Sequence, residues 1–80
     1  MKLPRDWSGE QLIQCLGKFG YLPTRQSGSH VRLTKELDTG SHHITIPLHN
    51  PLKLGTLNAI ISDVASHLSI SKTDVPQKCL

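Results

Sequence analysis

The stretch Arg25-Gln26-Ser27-Gly28-Ser29-His30-Val31-Arg32-Leu33 constrains this chain more than any other. It reads as the end of one β-strand, a tight turn carried by Ser27-Gly28, and a second strand that begins at His30. Successive strand side chains point to opposite faces, so Val31 and Leu33 share one face while His30 and Arg32 share the other. A two-stranded hairpin is barely stable alone in water, and its apolar face must be covered by other elements. The flanking residues supply that cover.

Upstream, Ser8 is a good helix N-cap and Gln11, three residues on, completes a capping box. Trp7 and Leu12 have the spacing of a hydrophobic staple. Leu12, Ile13, Cys15, Leu16 and Phe19 recur at helical period, and Gly20 is placed to close the helix in the left-handed conformation. The pattern predicts a helix over about 9–19. Tyr21 to Gln26 follows as a first strand. Pro23 within it cannot donate to a ladder, so this strand belongs at a sheet edge.

Downstream, the second strand runs from His30 to about Glu36, and Leu37-Asp38-Thr39-Gly40 makes a turn. The third strand spans His42 to Leu48, where Ile44, Ile46 and Leu48 alternate with His43, Thr45 and Pro47. Pro47 again marks an edge or the end of pairing. The His30 strand therefore belongs in the middle of an antiparallel meander. A second helix starts near Leu54 to Thr56 and ends near Leu68, with Leu57, Ile60, Ile61, Val64 and Leu68 as its apolar face. Ser71 and Asp74 can cap one more helical turn, which Pro76 is expected to cut off. Residues 1–75 then form a single domain and 76–80 a disordered tail.

Eighty residues suit one small domain, and three aromatic side chains (one Trp, one Tyr, one Phe) leave its core to Leu, Ile and Val. A formal charge of +3 suits a nucleic-acid partner without establishing one. Cys15 sits on the apolar face of the first helix and Cys79 in the tail, and neither has zinc-finger spacing to another ligand. We expect no disulfide, with Cys15 as core. There is no signal-peptide pattern and no apolar run long enough for a membrane span, which points to the cytoplasm.

Helix, three antiparallel strands and helix have one economical arrangement, an α+β fold with both helices packed on one face of a three-stranded antiparallel sheet. That is the α-β-β-β-α plan of double-stranded-RNA-binding domains. The opposite face, with His30, Arg32, Thr34, His43 and Thr45, is left to solvent or ligand. An imidazole beside a guanidinium can hold a phosphate and move a proton next to it. The plainer reading makes His30 a polar residue on a wet face.

Several segments, in order and at the right spacing, resemble the HicA family of bacterial toxins. They are Leu3-Pro4 before the first helix, Leu16, Gly20 and Tyr21 at its close, and Arg25-Gln26-Ser27-Gly28-Ser29-His30, similar to the family's Arg-Gln-x-Gly-Ser-His. Ile46-Pro47-Leu48-His49, Leu52-Lys53 and Gly55-Thr56-Leu57 complete the match. Leu54 departs from it, standing where the family commonly has proline, and so does Pro23 in the first strand. The resemblance implies a toxin of a type II toxin–antitoxin system, an endoribonuclease (mRNA interferase) dependent on the histidine of Gly-Ser-His, here His30. It also implies neutralisation by a HicB-type antitoxin.

Metal-free RNA cleavage needs a group to take the 2′-OH proton and one to protonate the leaving 5′-oxygen, and histidine suits either task. Arg25 or Arg32 can offset charge on the phosphorane. The amides of Ser27, Gly28 and Ser29 can bond a phosphate. Lys53, with the amides of Gly55 and Thr56 at a helix start, offers a second backbone contact. His43 is a possible second acid or base, but His42 and His43 are best read as solvent-facing, and His67 as a partner of its helix dipole. His49 closes the third strand in a direction the sequence leaves open. No metal and no cofactor are expected. Lys18 and Lys35 are expected only to solvate the surface. The alternative function is a non-catalytic RNA-binding module, or an inactive toxin homologue, using the same basic surface.

Overall fold

The computed structural model describes residues 6–79. Lys2, Arg5 and the Leu3-Pro4 of the resemblance lie outside the described residues. The elements are α1 (Gly9–Gly17), β1 (Leu22–Ser27), β2 (His30–Leu37), β3 (Gly40–Pro47), α2 (Leu54–Leu68) and α3 (Asp74–Gln77). The strands form one antiparallel sheet in the order β1-β2-β3. The His30 strand is central, and the Pro23 strand is an edge that carries a bulge between Pro23 and Arg25. Both α1 and α2 cover one face, because Leu12, Leu16, Leu57, Ile61 and Val64 share a single core with Val31, Leu33, Ile44 and Ile46.

The start of α1 follows its sequence signature. The Ser8 hydroxyl accepts from the Gln11 amide at 3.2 Å, and the Gln11 side-chain oxygen accepts from the Ser8 amide at 2.8 Å. Two otherwise orphaned helix donors are thereby satisfied. The helix is shorter than the apolar stripe suggests. It ends at Gly17, and Lys18 and Phe19 belong to the closing turn. There Tyr21 N–H donates to Leu16 O and Gly20 N–H to Gly17 O, both at 3.1 Å, with Gly20 at φ 95°. This is a Schellman closure, and the left-handed glycine is what permits it. Lys35 is not a purely solvating lysine, because its ammonium lies against Gly20 at the C-terminal end of α1.

Gly9 is fixed by proximity. Its amide donates to His49 O at 2.9 Å, and a side chain there would strike the Pro47 carbonyl. A Gly9→Ala substitution is expected to lower stability by about 1–3 kcal/mol, through forced separation of α1 from the end of β3. A urea melt checks this, with a lowered midpoint at unchanged slope.

The close of α2 repeats the Schellman pattern with a serine. Ile70 N–H donates to Ala65 O at 3.1 Å and Ser69 N–H to Ser66 O at 3.4 Å, with Ser69 at φ 57°. A residue with a Cβ is strained in this region. Ser69→Gly is expected to raise stability by about 0.5–1 kcal/mol, read as a higher melting midpoint.

The C-terminal segment departs from expectation in two ways. Pro76 does not cut off the last helical turn. It lies inside α3, within the first turn, where no intrahelical N–H is needed. Val75 and Pro76 are buried, and Val75 joins the core. Cys79, expected in a frayed tail, forms a disulfide with Cys15 across Cα atoms 5.3 Å apart. Cys15 is buried as expected, but α3 brings Cys79 back over α1.

Candidate active site

Strand register places the candidate residues. His30 pairs with Ser27 across the β1–β2 turn and with Pro47 on β3. Arg32 pairs with Arg25 on one side and Thr45 on the other. Paired residues share a face, so Ser27, His30, Arg25, Arg32 and Thr45 all stand on the face away from the helices. His30 and Arg32, two residues apart on β2, are about 7 Å from each other along the strand. His30 and Arg25 are exposed and Arg32 is half-buried.

The turn itself is made by Gly28 and Ser29 between Ser27 and His30. Gly28 takes φ 57°, as the first central position of a type II′ hairpin turn requires. Gln26 braces it, its side-chain amide donating to the Gly28 carbonyl at 3.2 Å. All three residues of Ser27-Gly28-Ser29 are exposed.

Two like charges directly across a strand pair disfavour the sheet by roughly 0.2–1 kcal/mol, so Arg25 and Arg32 form a local positive focus that an anion would relieve. The acidic residue on the same face of β2 is Glu36, at the far end and occupied by the Ser41 hydroxyl at 2.8 and 2.9 Å. Six residues of strand, about 20 Å, separate it from His30.

Both long helices present their N-termini to the His30 end of the sheet. The amide of Leu48 donates to Ser29 O at 2.7 Å, tying the end of β3 to the turn, and His49 O receives the first amide of α1. The following loop passes through a cis Asn50-Pro51 bond, and Leu52 N–H donates to Trp7 O at 2.8 Å before α2 begins. Lys53 is the N-cap of α2, where no side chain caps the amides and no acidic residue occupies the first turn. Helix dipole and lysine charge thus add at the same place. His49 is exposed.

His43 lies on the His30 face but four residues along, opposite Thr34. A chain of contacts, Thr24 to Thr34 and Thr34 to His43 Nδ1, both 2.8 Å, holds it there. About 13 Å of strand separates it from His30, too far to serve the same phosphate.

His42 is the main correction. It is not solvent-facing: it is 7% exposed on the helix-covered face. Tyr21 Oη lies 2.6 Å from its Nδ1, Asp63 Oδ2 3.3 Å from its Nε2, and the His67 ring stacks on it at 3.6 Å. Burial, and then the Asp63 carboxylate, push the Tyr21 phenol above its ordinary pKa, so it stays neutral in this network. His42 shares the inward parity of Ile44 and Ile46 along β3.

A cleft among the described residues lies elsewhere, lined by Trp7, Gln11, Gln14, Cys15, Lys18 and Cys79. With Arg25, Ser27, Gly28, Ser29, His30 and Thr45 all exposed, the candidate site is an open sheet face with a turn at its rim, a shape suited to a long polymer more than to a small molecule. No helix among the described residues is long and apolar enough to cross a membrane.

A family model described as HicA toxin of bacterial toxin-antitoxin matches residues 9–65, well over half the chain, a span that includes Arg25, Ser27, Gly28, Ser29, His30, Arg32 and Lys53. No curated protein and no solved structure matches the chain.

Proposed function

The chain belongs to the HicA toxin family, and from that premise we propose that it is a metal-independent endoribonuclease that cleaves mRNA. His30 acts as general acid/base on the scissile phosphate. The observation that carries this reading is the exposed His30 beside Arg32, with Arg25 directly across, on the sheet face that the helices leave open.

Cleavage proceeds by attack of the 2′-oxygen on the adjacent phosphorus, with loss of the 5′-oxygen. An imidazole can accept the 2′-proton or supply one to the leaving oxygen at neutral pH. Arg25 and Arg32 stabilise the extra negative charge on the phosphorane, and the Ser27-Gly28-Ser29 amides orient its oxygens. Lys53 and the first amides of α2 hold a neighbouring phosphate of the same strand. The open face admits an extended single strand without a cavity.

The partner is a HicB-type antitoxin that covers the His30 face and meets Arg25 and Arg32 with acidic residues. Toxin and antitoxin meet in the cytoplasm, where mRNA is found.

The test is incubation of the purified protein with a long single-stranded RNA in excess EDTA. Cleavage is expected to proceed undiminished. Loss of cleavage on adding EDTA would overturn metal independence, and RNA binding without cleavage would put a non-catalytic RNA-binding module in its place.

A further inference from the structure

We propose that His42, Asp63 and His67 form a binding site for a divalent transition metal of the zinc type, separate from the His30 face. Asp63 and His67 are four residues apart on α2, so they project from one side of the helix toward His42 on β3. One donor atom from each of the three residues lies within 4.8 Å of the others.

The spacing suits a small ion. A tetrahedral zinc site with bonds of about 2.0–2.1 Å sets neighbouring donor atoms about 3.3 Å apart. Here His42 Nε2 is 3.3 Å from Asp63 Oδ2, which meets that spacing as it stands, while His67 Nδ1, 3.1 Å from the other carboxylate oxygen Oδ1, joins the set by turning. Two imidazoles and one carboxylate form a donor set that zinc, nickel or copper accepts and that magnesium and calcium, which favour oxygen, do not.

The surroundings resemble the outer layer of a metal site. Tyr21 Oη lies 2.6 Å from His42 Nδ1, the nitrogen opposite the proposed ligand. With a metal on Nε2, the proton moves to Nδ1 and is donated to the Tyr21 oxygen, which fixes the ring and its tautomer. His42 is held edge-on by Tyr21, with ring planes 76° apart. His67 stacks on His42 at 15° from parallel, and its Nδ1 lies 3.0 Å from the Asp63 carbonyl oxygen, so to ligate it must turn out of the stack and give up that hydrogen bond. Its side chain is 44% exposed, which leaves it room to turn. Water completes the fourth position from the solvent side.

The site sits at the far end of the sheet from the catalytic histidine. His42 pairs with Lys35, five residues along β2 from His30 and on the opposite face. An ion there fastens the C-terminal half of α2 to β3, and its role is structural.

Isothermal titration of the full chain, without an affinity tag and with its disulfide intact, with ZnCl2 tests this. One ion per chain is expected, with affinity weakened at least tenfold in His67→Ala and Asp63→Asn, and by about 10–100-fold in Tyr21→Phe. MgCl2 should give no binding. Zinc should also raise the melting temperature of the wild type and not that of His67→Ala. An identical titration for wild type and His67→Ala, or no heat with zinc, would overturn the proposal. Cleavage of RNA by His67→Ala in EDTA reports on the His30 reading alone, so the two proposals fail separately.

Discussion

His30→Ala is expected to slow RNA cleavage by about 10²–10⁴-fold, the usual contribution of a positioned general acid or base. The substitution should leave the fold intact. His30 is exposed at the first position of β2, and its ladder partners Ser27 and Pro47 are engaged through backbone that alanine preserves. Exposed substitutions of this kind change stability by no more than about 0.5 kcal/mol. Single-turnover cleavage of a labelled RNA, with circular-dichroism melts of both proteins, measures the two quantities. Equal rates would move the chemistry away from His30, and a large stability loss would make the rate change uninformative about catalysis.

Arg32→Ala is expected to cost about 10²-fold in cleavage, the size of effect seen when one donor to a transition-state oxyanion is removed. The same change should weaken binding of the antitoxin, because that partner is held to meet the positive face with acidic side chains. Stability should move the other way or not at all. Arg32 faces Arg25 directly, and removing one of two opposed like charges relieves roughly 0.2–1 kcal/mol. A variant that is as stable as the wild type yet poorer in both activities is the signature of a charge pair kept for its ligand. If only cleavage or only antitoxin binding suffers, the two partners do not share this surface.

Much of this arrangement was legible in the residues. Period-two alternation from Val31 to Ile46 set both sheet faces, and Pro23 correctly marked the β1 edge. The capping box at Ser8 and the glycine closure at Gly20 followed from local chemistry, which needs no partner from elsewhere in the chain. Candidate residues came together for the same reason: Arg25, Ser27, His30 and Arg32 all lie within one hairpin, so register alone positions them.

What was missed depends on contacts between distant segments. Nothing local tells that Cys79 returns to Cys15 across 64 residues, or that Gly9 must let the Pro47 carbonyl pass. His42 is a different case. Its parity matched Ile44 and Ile46, but a histidine on an apolar face needs polar partners, and those come from Tyr21 and from Asp63 on α2. Lys35 likewise shares the inward parity of Val31 and Leu33, and its ammonium comes to lie against Gly20 in the turn that closes α1.

The most direct test of the central claim is the chemistry of the cut ends. RNA cleaved by the wild-type protein in EDTA should carry a 2′,3′-cyclic phosphate on one fragment and a 5′-hydroxyl on the other, because the attacking oxygen is the substrate's own 2′-OH. Fragments ending in 3′-hydroxyl and 5′-phosphate would show that water attacked instead, and would contradict a mechanism in which His30 moves the 2′-proton.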